Sequence, residues 1–492
     1  MASALRGRTG TVTLALVGWL FVVEIVSGLL QGYYIPIATP LARHLGIEDA
    51  QFNWFEAAQL LLSSIALPIL AKLGDMYGHK RILLFSTAVT AVASWWLVVA
   101  GDFTSFLLAW ALQGFYVVWL PLEVAIIFSR ARATGVANAT TRRASGALIA
   151  ALQLGAILGA LSAGRLLTAF GGAIAPTLVV PAVAVTLVFL VILFGVPAMK
   201  PETSGRALDI GGFVLLGFAL LVITSALTFF RLNGVDTWWV WAILVVGLAL
   251  FVPFALYELR REDPAIDLRM LRRPEMWPIQ TTAGLFGISV LGAQVPLSTF
   301  AATDPAAGYG LGLDPSTVSN LIGVYLGGVI IGAILFPFVT RLGTPRVTLI
   351  GASLLVGVGY FLFVPFHATL THVVTNMVIA GLGSGALLAA LPSAAAAAAP
   401  IGQTGIAAGL TNTTKTVGGT FSSAIFAVAL ATGAGGVVAT AASFSGYLTV
   451  WIVCGSAAVI SAVLLLFVPR LAFSDPPLTE SAEQSPRPDL VA

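Results

Sequence analysis

Apolar runs of about 20 residues, the length of helix that crosses a bilayer core, recur almost end to end along this chain, parted only by short polar breaks. That core offers backbone groups no water, so a crossing segment is either a helix or a strand of a closed barrel. The runs here are continuous, whereas barrel strands alternate apolar and polar residues. The sequence therefore predicts an all-α membrane protein. Of 492 residues, 58% are hydrophobic and only 9% charged, more apolar surface than a soluble domain buries.

Fourteen spans are expected, near 12–36, 52–71, 82–100, 104–128, 144–168, 177–197, 209–230, 238–257, 276–300, 316–339, 346–366, 372–397, 405–431 and 447–469. The first run lacks a small-residue cleavage site and reads as a retained helix. The division that follows is an N-terminal six-helix bundle over 1–200, two inserted linker helices over 201–274, and a C-terminal six-helix bundle over 275–470. The last stretch, 471–492, is polar and Pro-rich, the composition of a disordered cytoplasmic tail.

Basic residues orient the spans. With the N-terminus inside, 20 Lys and Arg fall on the cytoplasmic side and three (Arg43, Arg165, Arg231) on the outer side, while Lys415 lies within a span. The positive-inside rule then places both termini in the cytoplasm. Because these cations sit in short loops between spans, the net charge of +3 does not point to nucleic acid. The single cysteine, Cys454, lies in an apolar run, so there is no disulfide framework and no Cys/His metal spacing. His44, His79, His367 and His372 stand at or near span ends and read as interface residues. No Gly-rich phosphate loop or nucleophile elbow occurs, so neither an enzyme nor a cofactor nor a metal site is expected.

Two stretches carry local signatures. Ala71–Leu84, AKLGDMYGHKRILL, packs Lys72, Asp75, Lys80 and Arg81 between two apolar runs and reads as a tight cytoplasmic turn. Gly74 and Gly78 allow such a turn, and Asp75 is placed to cap a helix N-terminus. A fainter copy, Phe338–Gly351, has Arg341, Gly343 and Arg346 at the corresponding place in the second half. The halves match elsewhere too. Gly114 and Leu120-Pro121 in span four correspond to Gly385 and Leu391-Pro392 in span twelve, and Gln153 and Gly159 in span five to Asn412 and Gly418 in span thirteen. Internal symmetry of this kind marks secondary transporters with a midplane site between two repeats.

With these motifs the chain resembles the major facilitator superfamily, and within it the fourteen-helix drug:proton antiporter branch. The family's second-to-third helix loop is roughly G-x-L-A-D-x-x-G-R-K; Ala71–Lys80 matches it at Asp75, Gly78 and Lys80 and departs at Ala71 and His79. Further likeness lies in Ala207–Gly217, Tyr257–Trp277 and Gly405–Gly419. The resemblance implies the major facilitator fold of two six-helix bundles plus two inserted helices. It also implies a multi-pass protein of a bacterial-type plasma membrane, working as a monomer on protons and a small-molecule substrate among membrane lipids. Relatives carry a proton-coupling Arg three residues before the Gln-Gly of span four and a proline in span five; Trp110 and Ala160 stand at those places here.

Glu24, at the centre of span one, is the leading proton-coupling candidate. A charge there costs about 2.5–3.5 kcal/mol, so it belongs in a cavity or a polar contact. It shares a helical face with Ser27 and Gln31. Glu123 either takes over the coupling role of the absent Arg or pairs with Arg130 or Arg132. Glu56 reads as a solvated rim residue. Gln31, Gln113, Gln153, Asn412 and Lys415 are candidates for the substrate cavity, with helix–helix hydrogen bonding or snorkelling as the competing uses. Gly74, Asp75, Gly78, Lys80 and Arg81 are candidates for a cytoplasmic gate. Gly155 and Gly159 form a G-x-x-x-G that suits close helix packing, with a sliding contact between halves as one use. The function expected is proton-coupled export of small lipophilic compounds by alternating access. Export of a lipid or a specific metabolite, and a non-transporting receptor or assembly role, are the alternatives.

Overall fold

Each apolar run is a helix, as the bilayer's lack of backbone partners demands. The computed structural model describes residues 2–132, 137–197, 209–233, 236–261, 264, 268–342, 344–399, 404–432 and 440–468, and no strand occurs among them. The tail over 471–492, Gly343, and the loop cations Lys200, Arg206, Arg470 and Arg487 lie outside the described residues.

The first half comprises α1 (Ala2–Tyr33), α2 (Asn53–Tyr77), α3 (His79–Val99), α4, α5 (Ala137–Ala169) and α6 (Ile174–Gly195). Helix α4 has two arms, Phe103–Gln113 and Trp119–Arg132, joined by a 3-10 turn at Gly114–Val118. A hairpin follows, of α7 (Ile210–Asn233) and α8 (Trp238–Ala249 with Phe251–Glu258). The second half comprises α9 (Trp277–Val290 with Gln294–Ala302), α10 (Pro315–Leu342), α11 (Pro345–Leu362), α12 (Leu370–Ala398), α13 (Thr404–Ala431) and α14 (Phe444–Leu465). Among the described residues, twelve segments are long and apolar enough to cross a membrane. Helix α7 offers only Ile210–Ala226 as a shorter apolar stretch, and α13 is diluted by Thr411, Asn412, Thr413, Thr414, Lys415 and Thr416. The expected fourteen is thus an approximate count.

Small residues set the packing within each half. A methyl group on Gly28 of α1 would stand 1.8 Å from the Leu152 carbonyl oxygen of α5, and one on Gly155 of α5 would stand 1.9 Å from that of Ile25 on α1. Gly32 and Gly159 extend the same seam, at 2.1 Å from the Ala156 oxygen and 2.6 Å from the Leu29 oxygen. The G-x-x-x-G of α5 therefore packs α5 against α1 of its own half and is no sliding contact between halves. The second half repeats the device: Gly418 of α13 meets Gly284 of α9, as Gly159 meets α1. Gly114 of α4 lies on Gln59 of α2, and Gly385 of α12 on Val329 of α10. The paired positions read from the sequence thus make equivalent contacts.

The motif around Ala71–Leu84 is mostly helix. Helix α2 runs to Tyr77 and α3 begins at His79, so Gly78 alone is the break, at φ 99° and ψ 124°. Only glycine adopts that backbone readily. Gly78→Ala is expected to cost about 1 kcal/mol or more, read as a lowered melting temperature of the purified protein. Asp75 does not cap α3, contrary to the expectation: it sits in the last turn of α2, where its carboxylate meets His79 at 3.0 Å. Lys80 donates to the Leu193 carbonyl at the C-terminal end of α6, where a cation complements the helix dipole. Arg346, its counterpart, donates from its Nε to the Leu465 carbonyl at the end of α14, at 3.1 Å.

Successive helices run antiparallel, so the bundle has a Tyr33 end and a Tyr77 end. Hydrogen bonds between the halves gather at the Tyr33 end. Ser298 donates to the Ile35 carbonyl at 2.6 Å, the Gly164 amide donates to Ser319 at 2.9 Å, and Asp49 donates its amide to the Thr440 carbonyl at 3.3 Å. The Arg165 guanidinium reaches Asn320 at 2.7 Å. Farther along, Leu60 of α2 meets Gly419 of α13. The α7–α8 hairpin straddles this α2–α13 line: Ile223, Ala226 and Phe230 pack with Trp54 and Ala57 of α2 and with Ala424 and Ala427 of α13.

Candidate transport site

Glu24 and Glu123, treated separately in the sequence, meet in the fold. Their side chains face one another where α1 crosses the second arm of α4, with Ser27 one turn along α1 beside Glu24. Both are fully buried, and none of the four carboxyl oxygens has a hydrogen-bond partner. No described cation forms an ion pair with either, so the alternative pairing of Glu123 with Arg130 is not made.

The 3-10 turn in α4 brings Tyr116 to this pair. Its ring lies within electrostatic reach of Glu24, Tyr34 and Glu56. Glu56 is therefore not a rim residue; it faces inward toward the same group.

Trp110 stands where the resemblance implies a cation. It is buried in a box of aromatic rings, 4.7 Å from Tyr34, 5.4 Å from Phe52 and 5.7 Å from Phe106 by ring centroids. Edge-to-face and offset contacts of this kind favour a dry, rigid wall.

Gln113 is an internal brace, donating to the Tyr34 hydroxyl at 2.8 Å and the Ser94 hydroxyl at 3.0 Å, so it is not a free cavity group. Gln280 likewise ties α9 to α13 through the Ala407 carbonyl at 3.1 Å. Gln31 is exposed on the face of α1 that carries Glu24 and Ser27, opposite the exposed Trp19 and Val22. Gln153, Asn412 and Lys415 are half-buried. The gate candidates stand at the Tyr77 end: Asp75 and Lys80 find their partners within the first half, Gly74 packs on Leu122 and His79, and Arg81 is exposed.

Sequence reasoning missed the seam of Gly164, Arg165, Ser319 and Asn320. Arg165 reads as an outer anchor, and its partner stands 155 residues away; no local pattern announces such a contact.

Two antiparallel helical halves, related by equivalent glycine contacts and holding buried carboxyls in the first, define a secondary-transporter architecture. Residues 20–423 match the profile of the Major Facilitator Superfamily, and the chain belongs to that family of transporters. It is a multi-pass membrane transporter and not an enzyme. It is similar to the tetracenomycin C resistance and export protein of Streptomyces glaucescens, 25% identical over 89% of this chain and 78% of the relative. It is also similar to the cephamycin export protein CmcT of Amycolatopsis lactamdurans, 28% identical over 90% of each. Among solved structures, the POT family transporter PepTSo superposes with a TM-score of 0.64 at 14% identity, covering 93% of this chain and 98% of that one, a likeness of fold.

Proposed function

We propose that this protein exports small lipophilic and amphipathic compounds across a bacterial-type plasma membrane, coupled to protons, as a monomer working by alternating access. The observation that supports the proton coupling is the buried pair of Glu24 and Glu123, with which no described cation forms an ion pair. Two adjacent ionised carboxyls repel, and a shared proton turns that repulsion into a hydrogen bond. A pair of this kind holds a proton when closed off and releases it when the half that carries it turns to an aqueous side. The export reading draws on the relatives, whose names are those of export and resistance proteins.

Both termini are assigned to the cytoplasm by the positive-inside rule, which makes the Tyr33 end the outer one. The cross-half hydrogen bonds then lie on the outer side, which supports reading this state as closed there. Asp75, Lys80 and Arg81 have their cross-half partners in the opposite state, when the cytoplasmic end closes.

The test of the whole reading is efflux of a broad panel of lipophilic dyes and antibiotics from a pump-deficient host, with and without an uncoupler. Energy-dependent efflux that collapses with the uncoupler is expected; efflux indifferent to it removes the proton. The outer seam has its own check. Cysteines at positions 165 and 320 in a Cys454→Ala background, joined by a short cleavable thiol cross-linker, are expected to stop transport, with recovery on reduction. Undiminished transport by the cross-linked protein would take opening of this seam out of the cycle.

A further inference from the structure

Lys415 sits in α13 with no counter-ion among the described residues. At 1.5 Å rise per residue it lies roughly 16 Å from the helix start at Thr404, well beyond the reach of a side chain to the helix end. No described acid forms an ion pair with it, and no charged group lies close enough to act on it. The buried acids of the facing half lie elsewhere, Glu24 facing Glu123 and Glu56 near Tyr116. The neighbouring α9 carries no acidic residue between Trp277 and Ala302.

Its surroundings place it on the wall between the halves. Asn412, Lys415, Gly419 and Ser422 recur at helical spacing on one face. Gly419 touches Leu60 of α2 and Leu291 of α9, and Ser422 meets Gly292 of α9. Lys415 stands one turn from Gly419 toward the Tyr77 end, past that contact between α2 and α13. The backbone behind it is packed closely on α9, since the Lys415 carbonyl oxygen lies where a methyl on Gly287 would be 2.0 Å away. A half-buried ammonium inside a membrane protein, with Asn412 beside it and no carboxylate to neutralise it, is costly unless a ligand supplies the charge.

We infer that Lys415, with Asn412, forms an anion-recognition site in the second-half wall, so that the favoured cargo is a lipophilic compound bearing a carboxylate, sulfonate or enolate. The inference rests on the exporter reading only in calling the ligand cargo. The ammonium donates charge-assisted hydrogen bonds to the anionic group, and the aromatic and aliphatic body of the ligand stays against the apolar walls. The carboxyl pair in the opposite wall remains free for protons, which separates cargo charge from proton charge.

Equilibrium binding to the purified full-length protein in nanodiscs tests this with two fluorescent probes of one ring system, anilinonaphthalene sulfonate and its neutral analogue phenylnaphthylamine. Lys415→Met is expected to weaken sulfonate binding about tenfold or more and to leave the neutral probe unchanged, while Lys415→Arg retains both. Lys415→Gln stands in if the methionine variant does not yield monodisperse protein. Wild-type protein that does not bind the sulfonate, or a neutral Lys415 variant that keeps both affinities or loses both together, overturns the site. No gradient is applied, so the binding assay reads the anion site independently of proton coupling, and the two readings fail separately.

Discussion

Glu24→Gln is expected to abolish proton-driven efflux in proteoliposomes while the protein still folds and binds its cargo. The amide has nearly the shape of a protonated carboxyl but cannot release a proton. Glu24 and Glu123 face one another, and no described cation pairs with either, so the variant mimics one fixed member of the pair. Substrate-induced proton movement, followed with a pH dye inside the liposomes, is expected to fall to the level of empty vesicles. Downhill exchange of cargo across a membrane without a gradient is expected to persist, because rocking of the halves needs no net proton transfer. Glu123→Gln gives the same split. Gradient-dependent uptake at wild-type rates by both single variants would remove the pair from the coupling step and leave Glu56, the third acid near Tyr116, as the group to examine.

The second large effect lies in the α1–α5 seam. Gly28→Leu and Gly155→Leu are each expected to prevent recovery of folded protein, read as loss of the monodisperse peak in size-exclusion chromatography of the detergent extract. Overpacking in a core that can relax costs about 1–3 kcal/mol. Here the obstacle is main chain: the added Cβ would lie 1.8 Å from the Leu152 oxygen or 1.9 Å from the Ile25 oxygen. Helices α1 and α5 would have to separate, and Glu24 would lose its place with them. Gly18→Leu on the same helix is the control, since nothing lies within 4 Å of a methyl group there. Equal losses at Gly18 would point to helix propensity in place of the seam.

Much of this architecture was legible along the chain. Continuous apolar runs define helices because a bilayer leaves no other solution for the backbone, and the paired glycines of the two halves sit at equal spacing because each half solves the same packing problem. Gly114 with Gly385 and Gly159 with Gly418 were readable as a repeat, and the fold gives them equivalent partners. The gate motif was legible as a motif but misread as a loop. Helix propensity carries α2 and α3 to within one residue of each other, and Asp75 ends up inside a helix, bonded to His79. Gln113 looked like a cavity donor and is a brace, because Tyr34 and Ser94 converge on it from α1's end and from α3.

The sequence by itself determined that the chain crosses a membrane as helices, which family it resembles, and that Glu24 is costly enough at mid-span to need a reason. Those are properties of single segments in a solvent that cannot hydrogen-bond to them. Only the tertiary structure decided that Glu24 meets Glu123, that Trp110 completes an aromatic box, that no described acid pairs with Lys415, and that Arg165 joins Asn320. Each of these is a relation between side chains on different helices. Apolar periodicity marks which residues a helix buries; the crossing of the helices decides which neighbour each one meets.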